Sequence, residues 1–126
     1  MWETPMAHVL FVDDEPDTLF TLQKAVELFG HRASLASSGE QALQIATEQV
    51  PGLIFVDMNL PDMDGLTIVR QLRANPPTAN IPVVMLSAGP ELDSAERAQA
   101  AGAQDYLLKP VRLQTLIDII GKYVPS

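Results

Sequence analysis

Short apolar segments alternate with segments of helical periodicity five times along the chain. Each apolar segment is too short for an isolated helix, and residues that favour strands dominate it. The predicted strands are 8–12, 32–36, 53–56, 82–86 and 106–108. Strands that alternate with helices form a parallel sheet covered on both faces, with right-handed crossovers. We therefore predict an α/β fold, a doubly wound five-stranded parallel sheet of order 2-1-3-4-5, which is the flavodoxin-like (βα)5 arrangement.

The predicted helices begin at ordinary start signals. Pro16 opens the first helix, Ser37-Ser38-Gly39 introduces the second, and Asp64 is predicted to cap the third. The spans are about 16–29, 39–49, 66–74 and 91–101, with a last helix that reaches Tyr123-Val124. The inward stripes of the first and last helices are predicted to be Leu19, Leu22, Val26, Phe29 and Leu113, Leu116, Ile117, Ile120. The fourth helix has only Leu92 as a large apolar residue.

Composition limits the class of protein. A chain of 126 residues predicts one domain, 1–126, with a core of about 7–124. The absence of Cys excludes disulfides and thiolate chemistry. No apolar run approaches the ~20 residues of a membrane span, and no signal peptide is recognisable, so we expect a cytoplasmic protein. The formal net charge of -8 disfavours direct binding to nucleic acid or to an anionic membrane.

Chemically active side chains follow four of the five predicted strands. Asp13 and Asp14 follow the first strand, Asp57 the third, Ser87 the fourth and Lys109 the fifth. In the order 2-1-3-4-5 these carboxyl ends meet at one edge of the sheet. Three carboxylates gathered there would repel one another unless a hard divalent cation lay among them, and Mg²⁺ fits best because it combines carboxylates with phosphate oxygens.

These residues together predict phosphoryl transfer. Asp57 is the candidate nucleophile and would form an aspartyl phosphate. Lys109 would neutralise one phosphoryl oxygen, and the Ser87 hydroxyl would donate a hydrogen bond to another.

Each residue taken alone also has an ordinary structural explanation. Asp13 and Asp14 could cap the first helix, Asp62 is interpreted as a solvated loop acid, and Tyr106 on an apolar strand would ordinarily belong to the core. His8 and His31 have no spacing that suggests a metal site or a triad, so both are interpreted as structural. The functional hypothesis rests on five residues predicted at one edge.

Four motifs resemble the receiver domain of two-component response regulators, and they cover essentially the whole chain. They are VDDEP, VDMNLPDMDG, LSAG and DYLLKP, each at a predicted strand end. The resemblance implies that Asp57 accepts phosphate from a phosphohistidine on a histidine kinase or histidine phosphotransfer protein. It implies Mg²⁺ ligation by Asp13, Asp14, Asp57 and the backbone carbonyl of Asn59. It also implies that Ser87 and Tyr106 move together on phosphorylation and that Lys109-Pro110 is a cis peptide.

Other classes of protein fit these residues less well. An FMN-binding flavodoxin needs a glycine- and hydroxyl-rich phosphate loop where this chain has Asp-Asp-Glu-Pro. A haloacid-dehalogenase type phosphohydrolase usually carries a second acid at the position of Asn59 and needs extra chain. A degenerate receiver that serves only as a docking module is the remaining alternative. We expect no enzyme with turnover on an outside substrate, because the chain would assist only its own phosphorylation and dephosphorylation.

The expected output is a phosphorylation switch. The weakly apolar fourth helix is the predicted moving part, and a downstream effector would read the face of helix 4, strand 5 and helix 5. The same face could form a homodimer. Both a stand-alone regulator and a receiver within a larger regulator or hybrid kinase fit the sequence.

Overall fold

The computed structural model of the chain describes residues 7–88 and 94–124. Strands and helices alternate throughout this part. The strands are β1 His8–Val12, β2 Arg32–Ala36, β3 Leu53–Asp57, β4 Val83–Ser87 and β5 Asp105–Leu108. The helices are α1 Pro16–Glu27, α2 Gly39–Gln49, α3 Gly65–Ala74, α4 Ser94–Ala101 and α5 Leu113–Tyr123, with a 3-10 turn at Pro76–Thr78. The predicted start of helix 4 at 91, with Leu92, lies outside the described residues.

All five strands form one parallel sheet in the order β2-β1-β3-β4-β5, which confirms the predicted α/β fold. The register aligns Val12 with Val56, Asp57 with Leu86, and Ser87 with Leu108. The carboxyl ends of the four strands β1, β3, β4 and β5 therefore lie level with one another, and the residues that follow them share one edge.

The sheet separates two apolar layers. Leu10, Ile54 and Val83 belong to the layer covered by α2, α3 and α4. Phe11 and Phe55 belong to the layer covered by α1 and α5, where their rings stack with centroids 5.2 Å apart. Burial on both faces explains why β1 and β3 are continuous apolar runs rather than alternating ones.

Two predicted inward positions are wrong. Helix α1 ends at Glu27, and the left-handed Gly30 (φ +84) turns the chain, so Phe29 lies beyond the helix and is 50% exposed. Leu113 occupies the first position of α5 and is 45% exposed, whereas Leu116 and Ile120 are buried. The buried stripe of α5 therefore begins one turn later than the sequence pattern suggests.

The remaining local expectations concern caps and histidines. The Asp64 carboxylate caps α3 by accepting a hydrogen bond of 2.8 Å from the Thr67 N–H, which confirms the predicted cap. His8 Nε2 lies 2.8 Å from Ser34 Oγ, and His31 Nδ1 accepts from the Ala7 N–H at 3.3 Å. Both histidines thus link neighbouring segments by hydrogen bonds, in agreement with a structural role.

Within 7–88 and 94–124, no helix is long and apolar enough to cross a membrane.

Candidate phosphoacceptor site

Three carboxylates meet at the carboxyl edge of the sheet. Asp13 directly follows β1 and is fully buried, Asp14 is exposed, and Asp57 ends β3 with 7% of its surface exposed. One carboxylate oxygen from each lies within 4.8 Å of the others. The Asp13 N–H still bonds to the Ala36 carbonyl at 3.0 Å, so the sheet ladder itself fixes this residue. Asp13 Oδ1 accepts a hydrogen bond of 2.9 Å from the N–H of Glu15, the N-cap residue of α1, so Asp13 bonds in the turn before the helix.

Lys109 brings one positive charge into this group. Its Nζ donates to Asp13 Oδ2 at 2.7 Å and to Asp57 Oδ2 at 3.2 Å. The Lys109 N–H bonds to the Ser87 carbonyl at 2.7 Å, which anchors the backbone of Lys109 to the end of β4. The following Lys109–Pro110 peptide is cis, as the resemblance implied. A single cation therefore bridges two buried carboxylates.

Burial and charge act in opposite directions at this site. Burial raises the pKa of the Asp57 carboxyl above its usual 3.8, and the nearby Lys109 charge only partly offsets that effect. Burial would lower the pKa of Lys109, but its hydrogen bond to Asp13 and the charges of Asp57 and Asp13 outweigh burial and raise it. Lys109 is accordingly charged at neutral pH. The ionised form of Asp57, by contrast, is less stable in the folded protein than in water.

The other predicted site residues lie at the same edge or beside it. Ser87 ends β4 and is 3% exposed. The Asn59 N–H points to Asp57 Oδ1 at 3.4 Å, which places Asn59 next to the acceptor; ligation of Mg²⁺ by its carbonyl stays a prediction. Tyr106 on β5 is half-buried, and its hydroxyl has no hydrogen-bond partner among the described residues. The structure thus brings together Asp13, Asp14, Asp57 and Lys109, with Ser87 and Asn59 adjacent.

Two residues support the site in ways that the sequence did not indicate. A Cβ on Gly65 would overlap the Asp57 carbonyl oxygen and would lie 2.7 Å from Met85 Cε, so the start of α3 packs directly on the acceptor strand. Asp62 is exposed, but its carboxylate accepts hydrogen bonds from Gly39 N–H at 2.8 Å and Glu40 N–H at 3.0 Å. Its exposure confirms the interpretation of Asp62 as a solvated loop acid, but the two hydrogen bonds to α2 add a contact that the sequence did not indicate. No local motif could reveal it, because the partners lie 22 and 23 residues away.

The donor set suits a hard divalent cation. Every side-chain ligand offered is a carboxylate oxygen, from Asp13, Asp14 and Asp57, and Mg²⁺ prefers oxygen ligands. Among the described residues, three carboxylates face the one charged side chain of Lys109, so the cluster is short of positive charge. Exposed Asp14 leaves one side of the cluster open to solvent. The residues present therefore fit Mg²⁺.

Comparison with known proteins identifies the family. The family model described as "Response regulator receiver domain" matches residues 9–121. The transcriptional regulatory protein PrrA of Mycobacterium leprae is 41% identical over 109 residues, which are 86% of this chain and 46% of PrrA. This chain thus spans about half the length of that relative. The sporulation initiation phosphotransferase F of Bacillus subtilis is 32% identical over 117 residues, 93% of each chain.

A solved structure has the same fold. The receiver domain of the sensor histidine kinase PA1611 from Pseudomonas aeruginosa, with a magnesium ion coordinated in its active-site cleft, has a TM-score of 0.88 and 29% sequence identity. The alignment covers 97% of this chain and all of that one. Its fold, its acidic edge and the match over residues 9–121 show that this chain belongs to the response regulator receiver domain family.

Proposed function

We propose that this chain is the phosphoacceptor of a two-component or phosphorelay system, with Asp57 as the residue that receives the phosphoryl group. The observation that supports this proposal is the position of Asp57. Its carboxylate is almost fully buried, lies 3.2 Å from Lys109 Nζ and faces two further acids within 4.8 Å. A reaction that brings a phosphoryl group and a cation to this point would use every member of the group.

The transfer would run from a phosphohistidine on a histidine kinase or histidine phosphotransfer protein. An Asp57 oxygen attacks phosphorus, the phosphorus–nitrogen bond breaks, and its electron pair returns to the imidazole nitrogen of the partner. Lys109 carries its charge at neutral pH and turns from Asp57 toward a phosphoryl oxygen. The Ser87 hydroxyl donates a hydrogen bond to a second oxygen.

Asp13, Asp14, Asp57 and the backbone carbonyl of Asn59 would hold Mg²⁺. When bound, the ion supplies positive charge that the phosphoryl oxygens and the carboxylates share. This chain would assist only its own phosphorylation and hydrolysis and would not turn over an outside substrate. The intact group of Asp13, Asp14, Asp57, Ser87 and Lys109 disfavours the alternative of a phosphorylation-independent docking module.

A groove beside the site suits delivery by a partner. It has a volume of about 480 Å³, and residues of α1, the end of β4 and the segment after β5 line it. Thr18, Leu22, Pro110 and Val111 make much of the wall, and Lys109 reaches it. A helix of a kinase or phosphotransfer protein could lie along this groove and present its phosphohistidine toward Asp57. The location would be the cytoplasm, where such partners act.

The output would be a change in the face formed by α4, β5 and α5. Among its described side chains, helix α4 buries only small residues, Ala98 and Ala101, so little apolar surface there fixes it. Movement of Ser87 and Lys109 toward a phosphoryl group would bias this face between two arrangements. A downstream effector domain or protein would read the change, and a homodimer through the same face is an alternative readout.

Intact mass after incubation with acetyl phosphate tests the proposal. We expect one added phosphoryl group on the natural chain in the presence of Mg²⁺ and none in EDTA. Asp57→Asn should abolish the adduct, and Asp118→Asn on the exposed side of α5 is the matched control that should keep it. An adduct that persists in Asp57→Asn contradicts the assignment of the acceptor. No adduct on the natural chain, under conditions where Mg²⁺ binds, would favour the docking module instead.

A further inference from the structure

The loop between β3 and α3, residues 58–64, is fastened to a different helix. The Asp62 carboxylate spans the first two N–H groups of α2, with Oδ1 2.8 Å from Gly39 N and Oδ2 3.0 Å from Glu40 N. These hydrogen bonds lower the pKa of Asp62. Asp62 thus satisfies two backbone donors that α2 itself cannot satisfy, since the first N–H groups of a helix have no partner inside it.

A second contact strengthens the same link. Gly39 is buried, and a Cβ at this position would lie 2.6 Å from Met63 Sδ and overlap Met63 Cγ. The Met63 side chain therefore packs directly on the bare backbone of Gly39. Two successive loop residues, Asp62 and Met63, hold the N-terminus of α2, one by hydrogen bonds and one by van der Waals contact.

The sheet order shows what this link spans. Helix α2 follows β2, the loop follows β3, and β1 lies between these two strands. A bond from the loop to α2 therefore passes beside the end of β1, which carries Asp13 and Asp14. The base of the loop is tied to β4 and α3, because the Met58 N–H bonds to the Leu86 carbonyl at 2.9 Å and the Gly65 N–H bonds to the Met58 carbonyl at 2.7 Å. Asn59 pairs with Asp64 in an isolated antiparallel bridge, and Asp62 lies in the segment that this bridge closes.

We infer that Asp62 is a positioning residue for the Mg²⁺ site, one that acts through the loop and not by touching the ion. It holds the segment that contains Asn59 on the α2 side of Asp57, where the Asn59 carbonyl can join Asp13, Asp14 and Asp57. This inference rests on the proposed function, since it assumes that the acidic group binds Mg²⁺. Residues that support a metal ligand typically change metal affinity by about 10–100-fold when they are removed.

Mg²⁺ titration followed by amide chemical shifts tests this role without phosphorylation. For Asp62→Ala we expect affinity for Mg²⁺ to fall by about tenfold, the lower end of the range for supporting residues. In the metal-free protein, the amides of 58–62 should shift in the same variant. At saturating Mg²⁺ its rate of phosphorylation by acetyl phosphate should return to the natural rate, because Asp62 does not contact the reacting atoms.

Two control variants separate positioning from simpler effects. Ser38→Ala removes a cap of the same helix, the 3.2 Å bond from Gln41 N–H to Ser38 Oγ, and leaves the loop contact intact. Glu40→Gln removes one exposed negative charge from the same helix end. Each control should change Mg²⁺ affinity by less than about twofold, since exposed charges are screened by salt.

The outcomes are distinct. Natural affinity in Asp62→Ala overturns the inference, and so does an equal loss of affinity in Ser38→Ala or Glu40→Gln. A natural chain that binds Mg²⁺ but takes no phosphoryl group would refute the proposed function and leave the role of Asp62 in metal binding standing. A natural chain that binds no Mg²⁺ would refute both. Urea unfolding of each variant identifies any loss of affinity that arises from unfolding alone.

Discussion

Replacing Asp57 by Asn should stabilise the metal-free protein. The amide has nearly the same shape and retains an oxygen that can accept from the Asn59 N–H, so the packing around this position changes little. The negative charge, however, disappears from a position with only 7% exposure. The expected change therefore depends on whether the charge of Asp57 is favourable or unfavourable in the folded state.

The charges around Asp57 nearly cancel. At an effective dielectric constant of about 20, the Lys109–Asp57 pair at 3.2 Å gains about 5 kcal/mol. At 4.8 Å, the limit for the three carboxylates, repulsion between Asp13 and Asp57 costs about 3.5 kcal/mol. Exposed Asp14 adds a smaller, screened repulsion. Burial then decides the balance against the ionised form, in agreement with the raised pKa of Asp57.

The predicted gain is about 1 kcal/mol in the free energy of unfolding at pH 7, the size typical of relieving one unfavourable charge. The pKa of Asp57 is higher in the folded state than its ordinary 3.8, so its contribution to stability is full below pH 3.8 and is lost as pH rises through the folded pKa. The advantage of Asp57→Asn should therefore shrink as the pH is lowered from 7 toward 4.

Urea unfolding in EDTA, followed by far-ultraviolet circular dichroism, measures this difference. Asp118→Asn is the control, and it should change stability by less than about 0.5 kcal/mol because Asp118 is exposed. Added Mg²⁺ at ten times its dissociation constant should stabilise the natural chain by about 1.4 kcal/mol and Asp57→Asn by less. A variant that is less stable than the natural chain in EDTA would show that the ion pair with Lys109 outweighs burial and repulsion, and the reasoning would be refuted.

Four further substitutions test other parts of the structure by urea unfolding. Gly65→Ala should destabilise the protein by about 2 kcal/mol, because the added Cβ would overlap the Asp57 carbonyl oxygen. In the control Gly121→Ala the added Cβ meets nothing within 4 Å, so the protein should gain up to about 1 kcal/mol from helix propensity. Equal effects of the two substitutions would contradict the packing argument. Tyr106→Phe should be neutral or stabilising by about 1 kcal/mol, since its hydroxyl is buried without a partner in the described part of the chain, and a clear loss would mean that the hydroxyl is bonded in solution. Asp64→Ala should cost about 1 kcal/mol by removing the cap of α3. The hydrogen bond from the Thr67 N–H lowers the pKa of Asp64, so the stability that this cap contributes is present above pH 3.8 and is lost as pH falls through the folded pKa. A destabilisation by Asp64→Ala that does not shrink in acid would contradict this reasoning.

The sequence predicts the sheet well because the decisive signals are local. The largely apolar runs at 8–12 and 53–56 indicate strands buried on both faces. The cap at Asp64 is also a local signal, because its hydrogen-bond partner Thr67 lies three residues later. Knowing the strand order is then enough to gather Asp13, Asp57 and Lys109 at one edge. The helix ends are less well predicted, since Phe29 and Leu113 follow the apolar period although the tertiary packing does not cover them.

What the sequence cannot supply is contact between distant segments. The bond from Gly39 to Asp62 and the close packing of Gly65 on the Asp57 backbone depend on how two loops approach in space, and neither leaves a periodic pattern. The same holds for the balance of charge on Asp57. The sequence contains three acids and one lysine near the site, but only distances and burial decide whether the acceptor charge is favourable in the folded state.

The firmly and weakly held parts of the molecule are consistent with the proposed switch. Asp57 ends β3 and Asp13 follows β1, two strands in which every residue except His8 is buried, so the reacting groups stand on a well-packed base. Helix α4 is different, because small buried alanines give it little packing energy. Its C-terminal end is nevertheless fixed, since Arg73 Nε donates to the Gly102 carbonyl at 3.0 Å and Nη2 to Gln104 Oε1 at 2.9 Å. A perturbation at Ser87 or Lys109 would therefore be expressed at α4 more readily than in β1 and β3, because a segment with few buried apolar contacts moves at a lower free-energy cost.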